Sequence, residues 1–159
     1  MKIDKSKLKV YGIFLLITGA VGGLSALLTN MGMDSYKAAE KPPLTPPDII
    51  FPIVWSVLFT LMAISAARVW LTDNSRLRNH GMIVYFIQLF FNFFWSVLFF
   101  NFQAYGLAFI WIIGLWMLIF LMIVRFYRAD RIAGLLQIPY LLWVTFAAYL
   151  NLMVYLLNK

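Results

Sequence analysis

Apolar residues along this chain gather into five runs of about 20 residues, parted by polar breaks. As helix, such a run measures about 30 Å, the thickness of a bilayer's hydrocarbon core. The spans are placed at 9–29, 50–71, 82–102, 105–127 and 132–157. The pattern predicts an all-α fold: a polytopic membrane protein whose residues 1–159 form a single five-transmembrane-helix bundle. The second and fourth breaks, TDNSRLRNH and RADR, are short and basic, and the third is a few residues around Asn101 to Tyr105. Only the first, 30–49, is long, and a loop of that length in a small bundle is more often functional than a mere connector. It carries Pro42, Pro43, Pro46 and Pro47, which stiffen it, and it leads straight into a span containing Trp55. An indole inside a bilayer needs a polar or π partner, so an aromatic-lined cavity covered by this loop is expected.

Composition sharpens the class. Hydrophobic residues make up 64% of the chain and charged residues 12%, more apolar surface than a soluble domain of 159 residues needs. The absence of cysteine excludes disulfides and thiolate chemistry, and the single histidine, His80, argues against a histidine-based metal site. His80 falls in a polar loop and reads as an ordinary interfacial residue. The basic start MKIDKSKLKV has no small-residue cleavage site after it and reads as the head of a retained helix. On alternating sides of the five spans, Lys2, Lys5, Lys7, Lys9, Arg68, Arg76, Arg78, Arg125, Arg128 and Arg131 oppose only Lys37, Lys41 and Lys159. That bias puts the N-terminus in the cytoplasm and the first loop and C-terminus outside. It also accounts for the net charge of +7 through topology signals and anionic lipid, with no nucleic-acid partner required. All six acidic residues lie in loops or at span ends, which disfavours proton- or sodium-coupled transport.

Inside the spans the polar groups are amides and aromatics. Gln88, Asn92, Trp95 and Phe99 recur at spacings of four, three and four, and so share one helical face. Tyr140, Trp143, Ala147 and Asn151, at three, four and four, share a face of the last span. Amides in hydrocarbon need partners, either on another helix or on a ligand, and the pattern leaves both open. Pro139 is expected to break a backbone bond in the last span and kink it. Gly19 and Gly23 form a GxxxG in the first span, suited to close helix packing or to a dimer.

Three segments carry a resemblance that covers nearly the whole chain. KPPLTPPDIIFPIVW (41–55), QLFFNFFWSVLFF (88–100) and PYLLWVTFAAYLN (139–151) resemble, in that order, the TspO/MBR family of translocator and tryptophan-rich sensory proteins. The resemblance implies a five-helix bundle, commonly a homodimer, that binds porphyrins such as protoporphyrin IX and other flat lipophilic molecules beneath the first loop. Matched residue by residue, Trp55 and Trp143 would line that pocket, Asn92 would supply its amide, Ala147 would leave room beside the ligand, and Tyr36 with Pro46 would form the lid. Phe59, Gln88, Trp95 and Leu150 fall on neighbouring positions of the same faces. Leu44 stands where many relatives have tryptophan, which removes one aromatic contact over the pocket. The sterol pattern of animal members is met only loosely, by Leu150, Tyr155 and Lys159. A porphyrin would contact the indoles through its ring and meet Asn92, Lys37 or Lys41 at its polar edge.

Three functions follow as expectations. The first is a membrane receptor or sensor-transporter for tetrapyrroles. The second is an enzyme breaking down porphyrin with light and oxygen, its pocket tryptophans redox-active; no acid, base, nucleophile or metal cluster is evident for other chemistry, so no catalytic residue is assigned. The third is a membrane scaffold whose amide faces serve assembly.

Overall fold

The computed structural model describes residues 4–159; Lys2, counted above on the basic side, lies outside them. Every hydrophobic run is helical, and the described residues contain no strand. The elements are α1 (Lys5–Ala38), α2 (Ile50–Trp70), α3 (Ser75–Ser96), a π-helical turn (Val97–Asn101), α4 (Tyr105–Ala129), α5 (Arg131–Leu135) and α6 (Ile138–Leu157). Counting α3 with its π-turn and α5 with α6, five helices are long and apolar enough to cross a membrane.

Three boundaries differ from the sequence reading, each for a local reason. Helix α1 does not stop at Thr29 but runs for 34 residues, because nothing in NMGMDSYKA breaks a helix and the first proline comes only at Pro42. The long loop is therefore 39–49, and Tyr36 belongs to a helix rather than to a lid loop. Helix α3 begins at Ser75 because the Asn74 side chain accepts a hydrogen bond from Leu77 N at 3.0 Å, an N-cap. Arg76, Arg78 and His80 accordingly lie on its first turns and not in a loop. In the last span the interruption falls at Leu136–Gln137, ahead of Pro139. Pro139 is the second residue of α6, where a missing N–H costs little, so the expected break appears as a fresh helix start.

Helix α1 packs on α2 and on the π-turn, α3 on α4, α4 on α5 and α6, and α5 on α2. Met62, Ile112, Leu115, Ile119 and Met122 are fully buried between them. Leu16, Leu27, Met31, Ile110, Met117 and Leu142 point outward and are well exposed, as lipid-facing side chains are. In water such a coat would drive aggregation. At the end of the bundle carrying the N-terminus, Arg68 forks onto Asp130 through Nε (3.1 Å) and Nη2 (2.8 Å), while Asp130 also caps α5 by accepting from Ala133 N at 2.8 Å. Burial alone would raise the Asp130 carboxyl, but the Arg68 hydrogen bonds and that cap outweigh it and hold the group below its ordinary value.

Candidate functional site

At the opposite end, α1, α2, α3 and α6 diverge around a cavity of about 390 Å³. Small-molecule sites generally measure about 300–1,000 Å³. Its position follows from the sequence of α1, whose Gly22, Ser25, Thr29, Met33 and Tyr36 recur at helical spacing and form one wall. Phe51, Pro52, Trp55 and Phe59 of α2 form a second, Asn92, Trp95 and Ser96 of α3 a third, and Trp143 and Ala147 of α6 a fourth.

The loop borders the mouth through Asp48 and Ile49 and is well fastened. Pro42 O accepts from Thr45 N (3.1 Å) and Thr45 Oγ1 (2.8 Å), and Pro47 O accepts from Ile50 N (2.9 Å). From the C-terminal end of α6, Asn158 clips the backbone of Glu40 on both sides, accepting from its N–H at 3.0 Å and donating to its carbonyl at 2.9 Å. Asp48 and Ile49 of the loop face the cavity, as does Lys37 of α1. Lys41 instead places Nζ 4.6 Å from the centroid of the Tyr36 ring, a cation–π contact.

Of the ten residues expected at the site, the structure brings seven to the cavity: Tyr36, Trp55, Phe59, Asn92, Trp95, Trp143 and Ala147. Pro46, Gln88 and Leu150 do not line it. Gln88 is fully buried one turn below Asn92, occupied by other helices, and Leu150 is buried in the packing of α6. Trp55 finds the π partners that its position demands: Phe59 at 5.6 Å, Tyr140 at 6.2 Å and Trp95 at 6.5 Å between centroids. The Trp95 N–H is taken by Asn151 Oδ1 at 3.0 Å, and Asn151 donates on to Tyr105 O at 2.8 Å. Asn92 Nδ2 donates to the Tyr140 hydroxyl at 2.7 Å, which donates to Gln88 Oε1 at 2.9 Å, and Gln88 Nε2 donates to Met62 Sδ at 3.6 Å. The amides differ in their surroundings: Gln88 and Asn151 bind helices together, while Asn92 does so and also faces the cavity.

Two polar atoms lining the cavity are buried without a partner, Ser25 Oγ and Trp143 Nε1. An unpaired donor in hydrocarbon is costly, and both side chains belong to the cavity wall, although the two atoms themselves are closed off from it. Ser25 lies inside the first expected span, where nothing in the sequence separates it from a packing residue. A cleft between α1 and α2 adjoins the cavity, sharing Gly22, Ala26, Pro52, Trp55 and Phe59 with it. Gly22 makes room there, since a Cβ would stand 2.8 Å from the Phe59 ring and force it to shift. Among the described residues no group of three His, Cys, Asp or Glu side chains is placed to hold a metal.

Comparison with known proteins agrees along the whole bundle. The sequence model of the TspO/MBR family matches residues 13–156. The tryptophan-rich protein TspO of Chlorobaculum tepidum is 40% identical over 124 residues, 77% of this chain and 78% of its own. That of Archaeoglobus fulgidus is 35% identical, covering 91% of this chain and 94% of its own, and the translocator protein of Sus scrofa is 28% identical, covering 92% and 88%.

Proposed function

The chain belongs to the TspO/MBR family, and from that premise we propose that it is a membrane receptor or sensor-transporter binding flat lipophilic ligands, porphyrins such as protoporphyrin IX among them, in the cavity beneath the first loop. The observation that carries the reading is the pairing of Trp55 with Trp143 on different walls of one cavity, the latter with an indole N–H that has no partner in the protein. Indole faces and edges suit a flat aromatic ring, and a buried donor without a partner favours a ligand that brings an acceptor. Lys37 supplies a cation for a ligand carboxylate, against which Asp48 at the same mouth works unfavourably. The relative from Sus scrofa is named for translocation, which supports a binding protein over an enzyme.

The test is a protoporphyrin titration of the purified protein, followed by tryptophan quenching and the porphyrin absorption band. Saturable binding is expected, weakened by about tenfold in Trp143→Phe, which removes both a hydrogen bond and ring area, and by less in Trp55→Phe. Binding that never saturates, or that ignores both substitutions in folded protein, removes the reading.

We propose the orientation with the N-terminus cytoplasmic and the loop and C-terminus outside, supported by the basic residues gathered at the Arg68–Asp130 end. The chain has no cysteine, so single cysteines at Lys7 and Leu44 report it directly. An impermeant thiol reagent added to intact cells should label position 44 and spare position 7; the reverse pattern inverts the topology.

A further inference from the structure

We propose that the cavity recognises a hydrogen-bond donor on its ligand, an aromatic N–H at the rim of a flat ring system, through Asn92 Oδ1, and that the sulfur of Met62, which does not touch the cavity, sets this polarity through Gln88 and Tyr140. The inference rests on the flat-ligand reading and adds to it which chemical group the amide accepts.

Four buried side chains on three helices form the relay: Met62 of α2, Gln88 and Asn92 of α3, and Tyr140 of α6, none more than 2% exposed. A thioether sulfur has lone pairs and no proton. It is therefore the Gln88 nitrogen that belongs beside Met62 Sδ, 3.6 Å away, and this leaves Gln88 Oε1 to accept the Tyr140 hydroxyl proton at 2.9 Å. A hydroxyl has only one proton, so the Tyr140 oxygen is left as an acceptor and takes Asn92 Nδ2 at 2.7 Å. What remains of the Asn92 amide is Oδ1, and no side-chain hydrogen bond among the described residues ends on that oxygen.

The opposite arrangement is self-consistent except at one point. With both amides reversed, Gln88 would donate to Tyr140, Tyr140 would donate to Asn92 Oδ1, and the cavity would meet Nδ2, a donor. The price is a Gln88 carbonyl set against the sulfur lone pairs where both side chains are fully buried. Where the surroundings are hydrocarbon, such a mismatch has no solvent to relieve it. One sulfur thus selects between an accepting and a donating pocket amide. Met62 is a positioning residue, since it acts only through the side chains between.

The experiment uses three tricycles of one outline: carbazole, with a ring N–H; dibenzofuran, with an oxygen in its place; and fluorene, with a methylene. Each is titrated into the full chain by tryptophan quenching, and the readout is the ratio of the dibenzofuran to the carbazole dissociation constant. In Gln88→Met, which keeps volume but removes the acceptor for Tyr140, the Tyr140 proton turns to Asn92 and the cavity gains a donor. The ratio is expected to fall by about tenfold, the worth of one hydrogen bond exchanged for a clash of donors. In Met62→Leu, which removes the sulfur at similar side-chain volume, it is expected to fall by about threefold, with fluorene binding unchanged. A ratio equal to that of the wild type in the folded variants overturns the relay, and Met62→Leu alone decides if Gln88→Met does not fold. If none of the three tricycles binds the wild type, the flat-ligand reading falls and the relay with it; if all bind and the ratio does not move, only the relay falls.

Discussion

Gly32 lies where α1 crosses the π-helical turn, and its replacement by alanine tests the architecture of the cavity. A Cβ built at Gly32 would stand 2.3 Å from the carbonyl oxygen of Phe100 and 2.6 Å from its carbon. Both are backbone atoms, so no rotamer change relieves the clash, and the two elements must part by at least about 0.7 Å for the contact to reach even 3.0 Å. Overpacking of this kind costs about 1–3 kcal/mol, and backbone against backbone belongs at the upper end. Alanine regains about 1 kcal/mol of helix propensity over glycine, which leaves a net loss of about 2 kcal/mol. Gly12→Ala in the same helix is the control, because a Cβ there meets nothing within 4 Å, so the propensity gain stands alone. Thermal denaturation of both variants in one detergent should therefore lower the Gly32→Ala midpoint and leave the Gly12→Ala midpoint equal or raised. Parting the elements also draws Tyr36 away from Phe99 and Phe100, now 5.5 and 5.2 Å from its ring centroid, so ligand affinity should fall in the first variant only. Coincident midpoints would refute the close approach on which the reasoning stands.

Asp130→Ala removes an N-cap and a partly exposed fork to Arg68, and should lower stability by about 1–2 kcal/mol. Because the folded carboxyl is held below its ordinary value, its contribution is complete above about pH 3.9 and is lost as pH falls through the folded value. The wild-type advantage in melting midpoint should be equal at pH 7 and 5 and shrink below pH 4; shrinkage already between 7 and 5 would contradict the assignment. Asn151→Leu strands the Trp95 N–H and the Tyr105 carbonyl together and should cost about 1–3 kcal/mol, so an unchanged melting midpoint would mean that other groups satisfy them. Asn158→Ala unclips the first loop, and stopped-flow displacement should show ligand leaving about fivefold faster, the equivalent of one hydrogen bond. Equal exit rates would count against the loop as a cover.

The sequence made the bundle legible because membrane spans advertise themselves by length, and the walls from α2, α3 and α6 because their aromatics and amides repeat at helical spacing. Trp55, Asn92, Trp143 and Ala147 were found in this way and through the family resemblance, and all four face the cavity. Helical period identifies a face but not the depth along it at which packing gives way to space. Gln88 shares the face of Asn92 yet sits one turn deeper, where Tyr140 fills the room, and Leu150 faces neighbours rather than the gap. Tyr36 was assigned to a loop because polarity after Thr29 resembles a connection, whereas a helix leaving the apolar layer stays helical for as long as its residues allow. Ser25 carries no signal of its own in sequence. Its unpaired hydroxyl is visible only once the opposite wall is in place.

Helix α1 spans 34 residues without a break, about 51 Å of helix where a bilayer core needs about 30. The surplus forms the upper wall of the cavity through Met33, Tyr36 and Lys37, while the lower turns stand among lipid with Leu16, Leu24 and Leu27 outward. With no interruption between these parts, the helix is a lever, its short arm at the pocket mouth and its long arm in the acyl chains. Whatever tilts the long arm, membrane thickness included, also moves that wall. The solvent holding the lever thus helps to shape the cavity, and a micelle and a bilayer brace it differently.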